Sequence, residues 1–278
     1  MKEQAQAFRT GITPARPGGQ EKQRLFGKHF FIAALLPAMI LIVWQWAGSM
    51  GQVSPLLLPS PLAIAEAFAQ LAATGELFVQ IGHSLVRASI GVFYGAFAAL
   101  LLGGLIGLSR TASKIIDPSL QLLRLTPSLA TAPIIILWFG FGETSKIVII
   151  AFGAFFPLYM STVQSILGID KKLSEVTKVL SFGKVRHFTR LVLPGAMPGI
   201  LSGLRLSIAY GWLGLVVAEL LGSQSGIGFL MSHAQTNSQP EIIFVGVIIF
   251  AAMGKLIDVL VASVERRLLG WRDSYTGN

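Results

Sequence analysis

The 278-residue chain contains no cysteine, which excludes thiol catalysis, disulfide frameworks and cysteine-ligated metal centres. It is also poor in charge. Asp, Glu, Lys and Arg make up 13% of it, about half the ~25% of an ordinary soluble domain. No Gly-rich phosphate loop ending in Lys and Ser or Thr is present, so ATP and magnesium are not expected to bind this chain. His29, His83, His187 and His233 lack metal-ligand spacing and have no carboxylates near them in sequence to complete a site. The scattered Ser and Asp residues form no hydrolase motif, so neither an enzyme nor a cofactor site is expected. No internal repeat of the kind common in secondary transporters is visible.

Apolar residues fill the space that charge leaves. They make up 53% of the chain, the mean hydropathy is +0.68, and several runs reach or approach the ~20 residues needed to cross a bilayer. These features predict an all-α integral membrane protein bathed in lipid. The net charge of +9 could suggest nucleic acid, but its placement argues otherwise. Residues 1–28 hold six basic side chains and residues 168–194 six more, whereas 49–84 and 221–240 hold none. Such alternation is that of cytoplasmic loops collecting Lys and Arg, and the intervening spans prevent one continuous basic face.

Six spans are predicted, at 29–48, 85–108, 118–140, 146–167, 196–221 and 241–263, with both termini cytoplasmic. The first follows a long basic leader and ends in Val43-Trp44-Gln45-Trp46, a poor signal-peptide ending, so it reads as a retained span. Ser60 and Pro61 suit the start of a short extracytoplasmic helix running to Leu71. The second span is rich in small residues that let helices approach closely. The third is interrupted by Arg124, Pro127 and Pro133, a pattern tolerated only where protein or a watery cavity covers the backbone. The organisation is a basic tail over 1–28, a membrane domain over 29–265 with a cytoplasmic loop at 168–194, and a tail over 266–278.

The 168–194 loop carries the most information. Apolar residues at Leu173, Val176, Val179 and Leu180 fall on one face of a short helix. Asp170 can cap its start, and Gly183 can end it in a left-handed turn. Such a stripe with basic flanks suits either a solvated connection or docking in a partner's groove. Glu175-Val176-Thr177, Ser181-Phe182-Gly183 and Leu191-Val192-Leu193-Pro194 resemble the loop of bacterial ABC-importer permeases. That pattern runs Glu-Ala-Ala, three residues, Gly, nine residues, then Ile-x-Leu-Pro. Val176, Thr177 and Ser181 depart from it, although the spacing is intact. Ile136-Leu137-Trp138-Phe139-Gly140, Ser225-Gly226-Ile227-Gly228, Gly254-Lys255-Leu256-Ile257-Asp258-Val259 and Leu58-Pro59-Ser60-Pro61 are similar to the nitrate/sulfonate/taurine branch of these permeases, and most similar to its aliphatic-sulfonate members, from about residue 30 to 275.

The resemblance implies a type I importer (MetI-like) fold in the bacterial inner membrane and a homodimer with a second copy of the chain. Two ATP-binding cassette subunits, which would hold ATP and magnesium, would dock on the loops, and a periplasmic binding protein would deliver substrate. It further implies that Leu173, Glu175, Val176, Leu180, Ser181, Gly183 and Pro194 couple this subunit to the ATPase. The cargo would be a small sulfonate, with taurine, nitrate or another small anion as the alternative. A self-sufficient channel or secondary transporter is the reading of a different class.

Charges inside spans are costly, so each is a candidate for function or for internal pairing. Arg87, Arg205, Glu219, Lys255 and Asp258 meet that description. Lys255 and Asp258 are spaced for a local ion pair. Arg205 could steady a passing sulfonate or satisfy Glu219, and this pair is the expected pathway set. With few polar residues in the spans, the chain is expected to supply a path rather than a tight substrate site.

Overall fold

In the computed structural model the described residues are 35–50, 54–127 and 130–269. Two compact units divide the chain, residues 1–62 and 63–278. Within the first, α1 (Leu35–Ser49) is a short apolar helix. The Gln45 side-chain oxygen near its end accepts a hydrogen bond from the Leu62 backbone N–H at 3.0 Å. Only this part of the predicted 29–48 span is described. The tail over 1–28 lies outside the described residues.

Helix α2 (Pro61–Ala73) opens on the proline picked out from sequence. The regular elements described in the second unit are all helices: α3 (Glu76–Leu108), α4 (Arg110–Ile115), α5 (Asp117–Arg124), α6 (Ala132–Phe139), α7 (Glu143–Leu167), α8 (Lys171–Val179), α9 (Lys184–His187), α10 (Leu193–Gly222), α11 (Ile227–Thr236) and α12 (Pro240–Leu268), with a π-helical turn at Phe188–Val192. Helices α3, α7 and α12 are long and apolar enough to cross a membrane, as is the 184–236 segment. That segment breaks where Ser223 is extended and Gly226 has φ 105°, so α10 makes its crossing.

Helix α7 packs chiefly between α3 and α10. Small residues make this possible. A Cβ at Gly91 of α3 would lie 2.6 Å from the Ile150 Cβ, and one at Gly103 would lie 2.9 Å from the Thr162 Cβ. Lipid offers little hydrophobic drive for helix association, so such close backbone approach supplies the dispersion contact that holds the bundle together. Hydrogen bonds add direction. The Ser207 hydroxyl donates to the Ala154 carbonyl at 2.6 Å, and the Trp212 indole N–H donates to the Phe250 carbonyl at 3.1 Å.

Two sequence expectations change. The predicted 118–140 span is not one helix. It is broken into the eight-residue α5 and α6, each about 12 Å long, with Pro127 at the break and Pro133 in the first turn of α6. Proline cannot donate the helical hydrogen bond, and it biases its predecessor away from helix. The second span begins at Glu76 rather than 85, because Gly75 with φ 77° supplies the turn that separates it from α2. At the other end α12 runs to Leu268, and 270–278 lie outside the described residues.

Candidate functional site

The loop between α7 and α10 presents a face with little to cover it in this chain. Leu173, Val176 and Leu180 are 51%, 53% and 59% exposed. Asp170 accepts a hydrogen bond from the Lys172 N–H at 2.9 Å, as a cap should. The far end differs from expectation. Its left-handed residue is Ser181, φ 55°, and the Phe182 N–H donates back to the Thr177 carbonyl at 2.9 Å. This is a Schellman-type closure. Gly183 instead has φ −66° and precedes α9. The resemblance pattern places glycine where Ser181 stands, and the backbone angle gives the reason, since a left-handed residue with a Cβ costs on the order of 1 kcal/mol. Thr177 is buried, and its Oγ1 donates to the Ser174 carbonyl and lies 2.8 Å from His187 Nδ1. That contact braces α8 against α9. Pro194 is the second residue of α10, directly after the π-helical turn at Phe188–Val192. Glu175 is exposed and makes no hydrogen bond or ion pair among the described residues, so it does not cap its own helix.

A buried charge cluster lies at the opposite ends of α7 and α10. Arg87 of α3 is 4% exposed and forks onto Glu143, donating Nε to Oε2 at 2.8 Å and Nη2 to Oε1 at 2.9 Å. Its Nη1 donates to Glu219, which is fully buried. Lys146 donates to Glu143 at 2.8 Å. Two cations thus meet two anions, and the cluster is neutral. Glu219 also accepts the Ser84 hydroxyl at 2.8 Å and the Gly228 N–H at 2.9 Å. Ser84 in turn accepts the Ile227 N–H at 2.9 Å, and Gln80 accepts the Gly226 N–H at 2.6 Å. Arg87 reaches the Ser225 hydroxyl at 3.1 Å. The cluster therefore clamps the Ser225-Gly226-Ile227-Gly228 turn onto α3. A carboxylate at 219 is tolerated there because three donors, from Arg87, Ser84 and the Gly228 N–H, meet its two oxygens.

Gly226 is required twice over. Its φ of 105° disfavours any side chain, and a Cβ there would run into the Glu219 carboxylate. Gly226→Ala is expected to destabilise the protein by about 2–4 kcal/mol, lowering the midpoint of thermal unfolding by roughly 5–10 °C. A thermal melt of the purified variant in detergent checks this, and a wild-type midpoint would contradict it.

Of the two roles open to Arg205 from sequence, pairing with Glu219 does not form. Arg205 is half-exposed and donates Nε to Asp258 Oδ1 at 2.7 Å, with Glu265 at 3.9 Å. Lys255 lies 3.7 Å from Asp258, the local pair expected from spacing. Fourteen residues, about 21 Å of helix, separate Arg205 from Glu219, so each is neutralised by a different neighbour. Sequence reasoning noted Arg87 but gave it no partner. The available signal was that its charge needed an acid, and Arg87, Glu143 and Glu219 each lie in or beside a predicted outer loop.

Residues 91–270 match the family described as the binding-protein-dependent transport system inner membrane component, and the chain belongs to that family. It is a multi-pass inner-membrane transport subunit of the ABC-importer permease class, not an enzyme. The aliphatic sulfonates transport permease protein SsuC of Bacillus subtilis (strain 168) is 49% identical to it, over 87% of this chain and 88% of that one. The protein of the same name from Escherichia coli (strain K12) is 40% identical over 86% and 91%. The taurine transport system permease protein TauC of Escherichia coli (strain K12) is 31% identical over 84% and 87%. In three dimensions, a crystal structure of an amino acid ABC transporter with histidines aligns with a TM-score of 0.61 at 17% identity, covering 72% of this chain and 97% of that chain. At that identity the likeness speaks for the permease fold.

Proposed function

We propose that this chain is the translocation subunit of an ATP-driven importer of small aliphatic sulfonates. In this reading two copies form the pathway, two ATPases dock on the 168–194 loops, and a periplasmic binding protein supplies cargo. Both termini and the loop face the cytoplasm, as the clustering of Lys and Arg there favours. The observation that carries the coupling role is the exposed stripe of Leu173, Val176 and Leu180 beside Glu175, which makes no ion pair among the described residues. An apolar helix face with one free carboxylate suits a groove with a basic residue at its edge. Ser181, Gly183 and Pro194 shape the loop, and Thr177 braces it. The sulfonate assignment draws on the names of two relatives at 49% and 40% identity, against 31% for the taurine permease.

Cells lacking this chain are expected to lose uptake of radiolabelled butanesulfonate and regain it on re-expression. A tenfold excess of unlabelled butanesulfonate should compete strongly, and taurine or nitrate weakly. Uptake unchanged by the deletion, or competition led by nitrate, would overturn the cargo assignment.

A further inference from the structure

Resting on the proposed function, we infer that Arg124 marks a transit site for the sulfonate head group, in a cavity at mid-depth of the bundle. Arg205, Arg87 and Lys146 are each spent on carboxylates. Arg124, the last residue of α5, makes no ion pair or hydrogen bond among the described residues. It lines a cavity of about 490 Å³ together with Thr126, Phe156, Met160, Ser161 and Tyr210. That volume is in the range of small-molecule sites, roughly 300–1,000 Å³.

The position follows from the broken third span. Where α5 stops, the chain leaves helical geometry before Pro127 and opens a gap against α7 and α10. The α7 residues on the wall run from Gly153 to Ser161, which is the middle third of that helix, about 15–27 Å from its Glu143 end. Pro157 in the same stretch has no N–H for the Gly153 carbonyl, and both residues line the cavity.

The chemistry is matched at both ends of the cargo. A sulfonate is a permanent anion with three acceptor oxygens, and a guanidinium fork can donate to two of them at once. Three hydroxyl-bearing side chains, Thr126, Ser161 and Tyr210, share the cavity, while Phe156 and Met160 offer apolar surface to an alkyl chain. Arg124 makes no direct ion pair among the described residues, although the Asp117–Tyr159 hydrogen bond lies within reach of its field; a cation held this loosely at a partly open site favours brief occupation, and a transported ion must also leave. The site is therefore weak by construction and compatible with a path.

The test uses the complete transporter in proteoliposomes, with the chain's natural lack of cysteine as a clean background. Thr126→Cys is labelled with sulfonatoethyl methanethiosulfonate and with the neutral methyl reagent, with Arg124 intact or replaced in Arg124→Gln. Removing the guanidinium should lower the preference for the anionic reagent about tenfold. In the Thr126 background, butanesulfonate uptake should fall about tenfold in Arg124→Gln and recover in part in Arg124→Lys, while ATPase association and ATP hydrolysis stimulated by the binding protein persist. An unchanged reagent preference with full uptake in Arg124→Gln would overturn the site. Should Arg124→Gln fail to assemble, protection of Thr126→Cys by butanesulfonate in the otherwise wild-type complex decides the matter, and no protection counts against the site. A charge preference kept in Thr126→Cys alongside a wild-type complex that imports no sulfonate would sink the cargo assignment and leave an anion site.

Discussion

Glu219→Ala is expected to destabilise the protein by about 3–5 kcal/mol, because it leaves Arg87 buried with half of its neutralising charge gone. The loss has several parts. Arg87 is 4% exposed and cannot turn to water, while Ser84 and the Gly228 N–H lose their shared acceptor. A buried group left without its partner suffers the desolvation penalty in full. Glu143 still holds Arg87 from the other side, so the damage should sit nearer the lower figure. The cluster also pins the 225–228 turn, so proteolytic sensitivity there should rise together with the fall in melting temperature. The double variant Arg87→Met with Glu219→Leu should be less damaged than Glu219→Ala alone, since no buried charge is then stranded on α3. Melting of the three proteins in the same detergent checks this, and a wild-type midpoint for Glu219→Ala would remove the cluster from the structural account.

Glu175→Lys is expected to leave the chain inserted and folded but to abolish copurification with the ATPase and lower uptake at least tenfold. Glu175 is exposed and makes no ion pair or hydrogen bond among the described residues, so its replacement leaves the described contacts of the bundle in place. In a docked complex the reversed charge would face the site meant for a carboxylate, and like-charge juxtaposition costs several kcal/mol. Stability and association are therefore predicted to separate. Normal association with normal uptake would show that the loop is a solvated connection.

Much of this was legible in the sequence, and the rest was hidden for identifiable reasons. The long apolar runs and the alternation of basic loops gave the membrane class, and α3, α7, α10 and α12 fall where four of the spans were drawn. The stripe at 173, 176 and 180 is exposed, as its spacing beside basic residues allowed. Glycine is the residue that sequence favours for the left-handed end of that helix, whereas Ser181 adopts φ 55°. Pairings were harder. Arg205 and Glu219 share a helix, and sequence could not show that their partners come from α12 and α3 respectively. The breaks at Pro127 and Pro133 were visible, but a broken span opens a cavity only against particular neighbours, and those are fixed by the small residues along α7 and α10.

The central claim is tested most directly by ATP-driven uptake of radiolabelled butanesulfonate into proteoliposomes holding this chain with its ATPase and binding protein. The account predicts accumulation that requires ATP and both partners, and that vanishes with Glu175→Lys while the chain stays in the membrane. Accumulation by the chain alone, without ATP, would contradict it.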